Sequence, residues 1–409
     1  MKAGWTSKPL EDACTFINGL WKGEKDPLKT VGVIRNTNFT KDGTLDDTDI
    51  AFIEVEVKKF DKRKLFAGDI ILEKSGGGPK QAVGRVVLFD KPEGDYSFSN
   101  FTAAIRVKSP DELDAKYLHK FLHWTYLSGV TEGMQSNSTG IRNLDGDKYK
   151  AIQVSYPSIG NQHRIVTLLD EAFADIATAK ANAEKNLQNA RELFESHLDE
   201  VLGSQASDHI ATTLGTEVDL VAGFAFSSSR YSNNENDIRL LRGDNIMQGY
   251  LRWEDVKRWP MSDRAAHGKF ALKEGDVVLA MDRPWVKAGL KRAQMTATDL
   301  PCLQVQRTAR LRTKQNLSAD FLFHLTGSQA FSRHLLDVQT GIGVPHISGA
   351  QIQDFKFMRP PLAKQAMIAT ELQKLQEETQ RLETIYRQKL TAFDDLKKSL
   401  LHQAFSGQL

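Results

Sequence analysis

Leu65-Phe66-Ala67-Gly68-Asp69-Ile70-Ile71-Leu72 and Leu272-Lys273-Glu274-Gly275-Asp276-Val277-Val278-Leu279 are one motif written twice. Each sets a Gly-Asp pair before a short β-branched run, the pattern of a strand entered through a tight turn. The copies lie 207 residues apart, and at the same offset Val33-Ile34-Arg35-Asn36-Thr37-Asn38 returns as Leu240-Leu241-Arg242-Gly243-Asp244-Asn245. Thr139-Gly140-Ile141 returns as Thr340-Gly341-Ile342, at an offset of 201. Beyond that loop the offset holds at 203, pairing Tyr149 with Ile352, Pro157 with Pro360, Gln162 with Gln365, Leu169 with Leu372 and Leu193 with Leu396. A fixed offset over about fifty residues is the signature of a tandem duplication.

Each half begins as a mixed module. Ile50–Val57, Ile70–Leu72 and Ala82–Phe89 read as strands. Asp114–Trp124 and Ala319–Leu325 carry apolar residues three and four apart, as short helices do. Each half ends in a long amphipathic stretch, Gly160–Leu202 and Lys364–Ala404, with no interior Pro or Gly. Pro157 and Pro360-Pro361 precede these stretches, and Gly203 and Gly407 follow them, as helix start and stop signals. More than five heptads of such spacing predict two helices of about 60 Å. A plain core helix is rarely that long, so each helix is expected to pair with the other, with Leu396 in the seam. The fold class expected is α+β.

The chain has 409 residues, 40% hydrophobic and 26% charged, in the range of globular proteins. No apolar run approaches the roughly 20 residues of a membrane span, and residues 1–14 lack the apolar core of a signal peptide. Two cysteines, Cys14 and Cys302, make neither a disulfide framework nor a CxxC metal site, which implies a reducing, cytoplasmic setting. There is no GxxxxGK[ST] phosphate loop, no HExxH and no GxSxG. The Gly-rich Ser75-Gly76-Gly77-Gly78-Pro79-Lys80 follows a strand, but no helix pattern opens after it. Glu56-Val57-Lys58 fits only a fragment of a metal-dependent nuclease pattern, and the second half lacks it. Catalytic machinery is therefore not expected on this chain, nor is a bound metal or cofactor.

The net charge of +2 points to no partner, but Met281–Lys314 holds eight Lys/Arg against two Asp. Such a patch is either a phosphate footprint or an ordinary solvated surface. The side chains suited to DNA recur in both halves. Arg35, Asn36 and Asn38 match Arg242 and Asn245; Lys74 and Ser75 follow the first Gly-Asp strand as Arg283, Trp285 and Lys287 follow the second. Ser138, Thr139, Gly140, Arg142 and Asn143 stand against Thr340, Gly341, Gly343 and His346. Arg and Asn suit bidentate contacts to guanine and adenine. Any one of them could equally decorate a surface; their recurrence makes them DNA-contact candidates.

Two variable modules alternating with two long helices, the duplicated Gly-Asp strand, the Thr-Gly-Ile loop and the ending Leu396-Lys397-Lys398-Ser399-Leu400-Leu401-His402-Gln403-Ala404-Phe405-Ser406-Gly407-Gln408-Leu409 resemble the specificity subunit of type I restriction–modification systems. The family more often has Glu where Gln408 stands. The resemblance covers essentially the whole chain. It implies target recognition domains over residues 1–158 and 206–361 and spacer helices over 159–205 and 362–409, the helices pairing as an antiparallel coiled coil. It further implies a non-catalytic subunit reading a bipartite, asymmetric double-stranded DNA target, with no membrane association. Its partners would be methyltransferase subunits and restriction subunits, two of each, and these would hold S-adenosylmethionine, ATP and Mg. Two other readings remain open here: the recognition part of a fused restriction–methylation enzyme, and a coiled-coil scaffold without a DNA role.

Overall fold

The duplicated Gly-Asp segment folds the same way in both halves. In the computed structural model, Gly68 and Gly275 adopt φ of +96° and +83°, a region glycine enters without the Cβ penalty. The next residue, Asp69 or Asp276, is buried. Its carboxylate accepts the backbone N–H of Phe66 or Lys273 and closes the turn. The same carboxylates take two guanidinium bonds each, from Arg106 and Arg312, all at 2.7 Å. The motif thus turns the chain into a central strand and clamps that strand to its neighbour.

The structure describes residues 4–21, 23–77, 81–138, 141–286, 289–338 and 345–409. The chain divides into two compact units, Met1–Ala183 with Gln388–Leu409, and Glu184–Arg387. In the first, antiparallel strands run in the order Cys14–Asn18, Thr102–Val107, Ile70–Glu73, Val86–Leu88. A smaller sheet orders Ala51–Glu56, Leu28–Ile34, Tyr96–Phe98, the last pair parallel. The second unit repeats both sheets: Val218–Ala222, Thr308–Thr313, Val277–Ala280, Arg292–Gln294, and Lys257–Trp259, Ile238–Leu241, Cys302–Gln304, again with a parallel last pair. The expected strand at Ala82–Phe89 shortens to Val86–Leu88, and the one at Ile50–Val57 gives way to a helical turn at Val57. The helices Ala115–Leu127 and Ala319–Leu325 lie where the spacing puts them, with Asp114 and Ser318 as side-chain caps.

Both long helices form, Ile159–Leu202 and Leu362–Ser406. Lys180 meets Asp394 at 2.7 Å in the first unit; Arg191 meets Glu383 at 2.8 and 3.1 Å, and His197 meets Glu371 at 3.1 Å, in the second. Rising numbers on one helix meet falling numbers on the other, so the pairing is antiparallel. In the first unit, Ile165, Val166 and Leu169 share a core with Leu401, Ala404 and Phe405 and with Tyr117, Leu118 and Phe121 of the module. The Phe405 ring sits 5.3, 5.5 and 5.7 Å from those of Tyr117, Phe121 and Trp124.

Leu396 departs from expectation: it is 46% exposed, and its counterpart Leu193 is 65% exposed. The inward position next to Leu396 belongs to Lys397. Its ammonium bonds Asp42 at 2.5 Å and lies 5.0 Å from the Phe173 ring centre, while its aliphatic stem covers the seam.

Candidate nucleic-acid interface

In each unit the Gly-Asp strand runs out into a segment that meets the last hairpin of the module. In the first, Ser75–Gly77 pairs with Ile141–Leu144, opposing Ser75 to Asn143 and Gly77 to Arg142. In the second, Arg283 N–H donates to the Pro345 carbonyl and Ile347 N–H to the Met281 carbonyl. Leu144 N–H donates to the Lys74 carbonyl in the matching place. The frame is shared, but the side chains that bridge it differ. Ser75 Oγ donates to Asn143 Oδ1 at 2.6 Å. At the same step of the second frame, Asp282 Oδ1 meets His346 Nδ1 at 2.5 Å, and Asp282 Oδ2 meets Arg307 at 3.1 Å.

The first unit gathers Asn36, Lys74, Ser75, Arg142 and Asn143 around this frame. Asn36 Nδ2 reaches Glu73 Oε1 and the Ser75 carbonyl, both at 3.4 Å. Glu73 is buried and held by Arg85 through two bonds of 2.8 Å, and Arg85 also donates to the Phe39 and Asn36 carbonyls. Lys74 Nζ donates to Asn18, and burial lowers its pKa. Arg142 Nη1 reaches Gln135 at 3.4 Å.

Asn38 and Asn245 do a different job. Both are buried, and both spend their amides inside their own loops. Their Oδ1 atoms accept the N–H of Arg35 and Arg242, and their Nδ2 atoms donate to the Asp49 and Arg252 carbonyls, at 2.9–3.0 Å. They shape the loops that carry Arg35 and Arg242. Those arginines are partly exposed beside Asp49 and Asp244.

The basic stretch of the second half divides. Arg312 is committed to Asp276, Arg310 pairs with Asp219 at 2.6 Å, and Arg292 lies on the Phe323 ring, donating to its carbonyl at 2.7 Å. These three hold the module together. Arg283 and Arg307 are the two non-glycine residues with positive φ among the described residues, +46° and +65°. Burial lowers the pKa of Lys291; Asp244 opposes this, while the Arg252 and Arg283 cations add to it. Arg252 and Arg283 therefore lie close enough to act on Lys291, while Arg307 is paired with Asp282. Trp285 is half-buried in a two-residue strand paired with Gly289–Leu290. Thr139, Gly140, Lys287, Thr340, Gly341 and Gly343 lie outside the described residues, as does the side chain of Ser138.

Sequence reasoning did not single out Glu73, Arg85, Asp282 or Arg307. Arg307 falls in the basic stretch but outside any repeated motif, and Asp282 at the motif's edge replaces a serine in the first copy. Among the described residues no cluster of three or more His, Cys, Asp or Glu is placed to hold a metal ion. Cys14 and Cys302 are buried free thiols, and burial pushes the pKa of Cys14 up to about 12. No helix among the described residues is long and apolar enough to cross a membrane.

Two repeated frameworks joined to two antiparallel helices define a class, and comparison with known proteins agrees. The family model for the type I restriction modification DNA specificity domain matches residues 2–187 and 222–392, and the chain belongs to that family. It is similar to the EcoAI specificity subunit of Escherichia coli, 30% identical over 174 residues, 42% of this chain and 29% of that subunit. It is 25% identical to the MjaVIII specificity subunit of Methanocaldococcus jannaschii, over 67% of this chain and 66% of that one. With the StySPI specificity subunit of Salmonella potsdam it shares 24% identity over 99% of this chain and 89% of the other. The fold matches a structure described as the basis of complex assembly and conformational transition of the type I R-M system, at a TM-score of 0.80 and 16% identity, covering 100% and 99% of the two chains. It also matches the HsdS subunit from Thermoanaerobacter tengcongensis, at 0.63 and 16%, covering 100% and 98%.

Proposed function

We propose that this chain is the sequence-reading, non-catalytic subunit of a cytoplasmic type I restriction–modification complex. It reads a bipartite, asymmetric DNA target, one half-site per module. It docks methyltransferase and restriction subunits, which carry S-adenosylmethionine, ATP and Mg. The observation that carries this reading is the pair of matching frames with unlike contents. Ser75 and Asn143 stand in one where Asp282, His346 and Arg307 stand in the other. Equivalent placement suits the same task, and different donors and acceptors suit different base edges. Arg283, Lys291 and Arg307 supply phosphate or guanine contacts; in the first module Arg142 does the same, and Asn36 and Asn143 suit adenine.

Long-read methylation mapping with the gene intact and deleted tests the reading. A bipartite adenine-methylated motif that vanishes on deletion is the expected result. An unchanged methylome refutes it. Arg283→Ala should weaken binding of the assembled complex to its target by about 1–3 kcal/mol if Arg283 reads a base, or lower the salt slope by about one if it meets a phosphate. Arg142→Ala should behave alike in the other half-site. Failure of either variant to co-purify with the methyltransferase would make that residue structural.

A further inference from the structure

Gln162 and Gln365 occupy matching places near the starts of the two long helices, and both are fully buried. Each uses its whole amide. Gln162 Oε1 accepts the Asp114 N–H at 2.8 Å, while its Nε2 donates to the Glu112 and Pro157 carbonyls at 2.7 and 2.8 Å. Gln365 Oε1 accepts the Ser318 N–H at 2.8 Å, while its Nε2 donates to the Asn316 and Pro360 carbonyls at 2.9 and 2.8 Å.

Three segments meet at each amide. One is the first turn of the long helix. The second is the cap of the module's short helix, at Asp114 or Ser318. The third is the proline that follows the module's last strand, Gln153–Tyr156 or Lys356–Arg359. One planar group with one acceptor and two donors satisfies all three. Glutamate would set a carboxylate against two carbonyls, and leucine or methionine would remove all three bonds, the one to the buried proline included. Every partner is a backbone atom, so the joint is indifferent to the differing side chains of the modules.

We infer that Gln162 and Gln365 are positioning residues that fix each module on its own helix and thereby hold the gap between half-sites to a single length. The inference rests on the function proposed above. A module about 30 Å across, rocking by about 10° at such a joint, moves its far edge by about 5 Å. One base pair rises about 3.4 Å, so that freedom spans more than one pair.

The test maps methylation in cells carrying wild-type, Gln162→Leu, Gln162→Met or Gln365→Leu chains with their native partner subunits. The expected result is unchanged half-site sequences, with methylation at gaps one base pair longer or shorter raised at least tenfold over wild type. Hydrogen exchange on the purified chains should show the Asp114 and Ser318 amides at least tenfold faster in the matching variant, with the core strands unchanged. Retention of one gap, or unchanged exchange at these amides, overturns the inference while leaving the proposed function intact. Loss of fold in both the Leu and Met variants at position 162 would assign that amide to folding and overturn it as well. No bipartite motif with the wild-type chain would instead defeat the proposed function.

Discussion

Phe405→Ala should release the C-terminal turns of the second long helix from the first module. The ring is 8% exposed and meets three aromatic rings, two of them edge-on at interplanar angles of 75° and 88°. Phe→Ala in a core costs about 3–5 kcal/mol, of which each edge-to-face pair supplies about 0.5–1.5 kcal/mol beyond burial. The site lies near a helix end where neighbours can partly close the gap, so the lower figure of about 3 kcal/mol applies. A single unfolding free energy is ill-defined for a two-unit chain, so the readout must be local. Hydrogen exchange at Leu400–Phe405 should accelerate about a hundredfold, since each 1.4 kcal/mol is tenfold. Tyr117–Trp124 should loosen with it. Leu202, the counterpart on the first helix, is only partly buried, and Leu202→Ala should show half the effect in energy or less. An acceleration below about fivefold for Phe405→Ala would refute the claim that the aromatic cradle anchors this helix.

Three further outcomes follow from burial. Leu372 is fully buried while Leu396 is 46% exposed, so Leu372→Asp should unfold its unit in urea titrations, at a cost above about 3 kcal/mol. Leu396→Asp should accelerate hydrogen exchange in the flanking helix turns by no more than about twofold, equivalent to about 0.5 kcal/mol, and a larger acceleration would put Leu396 back in the seam. His119 and His123 stack at 6.3 Å, and burial lowers their pKa values to about 4 and about 3. Both are neutral when folded, whereas the unfolded chain protonates them near pH 6.5. Stability should therefore fall as pH drops from about 6.5 towards 4, because only the unfolded state takes up those protons. His123→Asn should flatten that fall between pH 7.5 and 4.5, and an unchanged slope would remove His123 from the acid response.

The duplication and the long helices were legible because they are written in spacing, which survives divergence of the residues between. Leu396 was misplaced because heptad counting cannot tell a seam leucine from one that a lysine stem displaces by one position. The basic stretch misled for a related reason. Along Thr308–Thr313 the residues alternate, so Ala309 and Leu311 face one core while Arg310 and Arg312 turn to the other side. Their acidic partners, Asp219 and Asp276, stand 91 and 36 residues earlier, where charge counting within a window does not look. Asn38 and Asn245 have the chemistry to read adenine, but a loop that must satisfy its own backbone claims their amides first.

The two units differ in how soon they can be finished during synthesis. The second is contiguous, Glu184–Arg387, whereas the first needs Gln388–Leu409, made about two hundred residues after Ala183. At roughly 5–20 residues per second the ribosome takes about 10–40 s to bridge that interval. Throughout it, Tyr117, Phe121 and Ile165 have no Leu401 or Phe405 to close their core. The nascent first unit therefore waits with an open apolar face while the second completes itself, a window in which chaperone capture competes with folding.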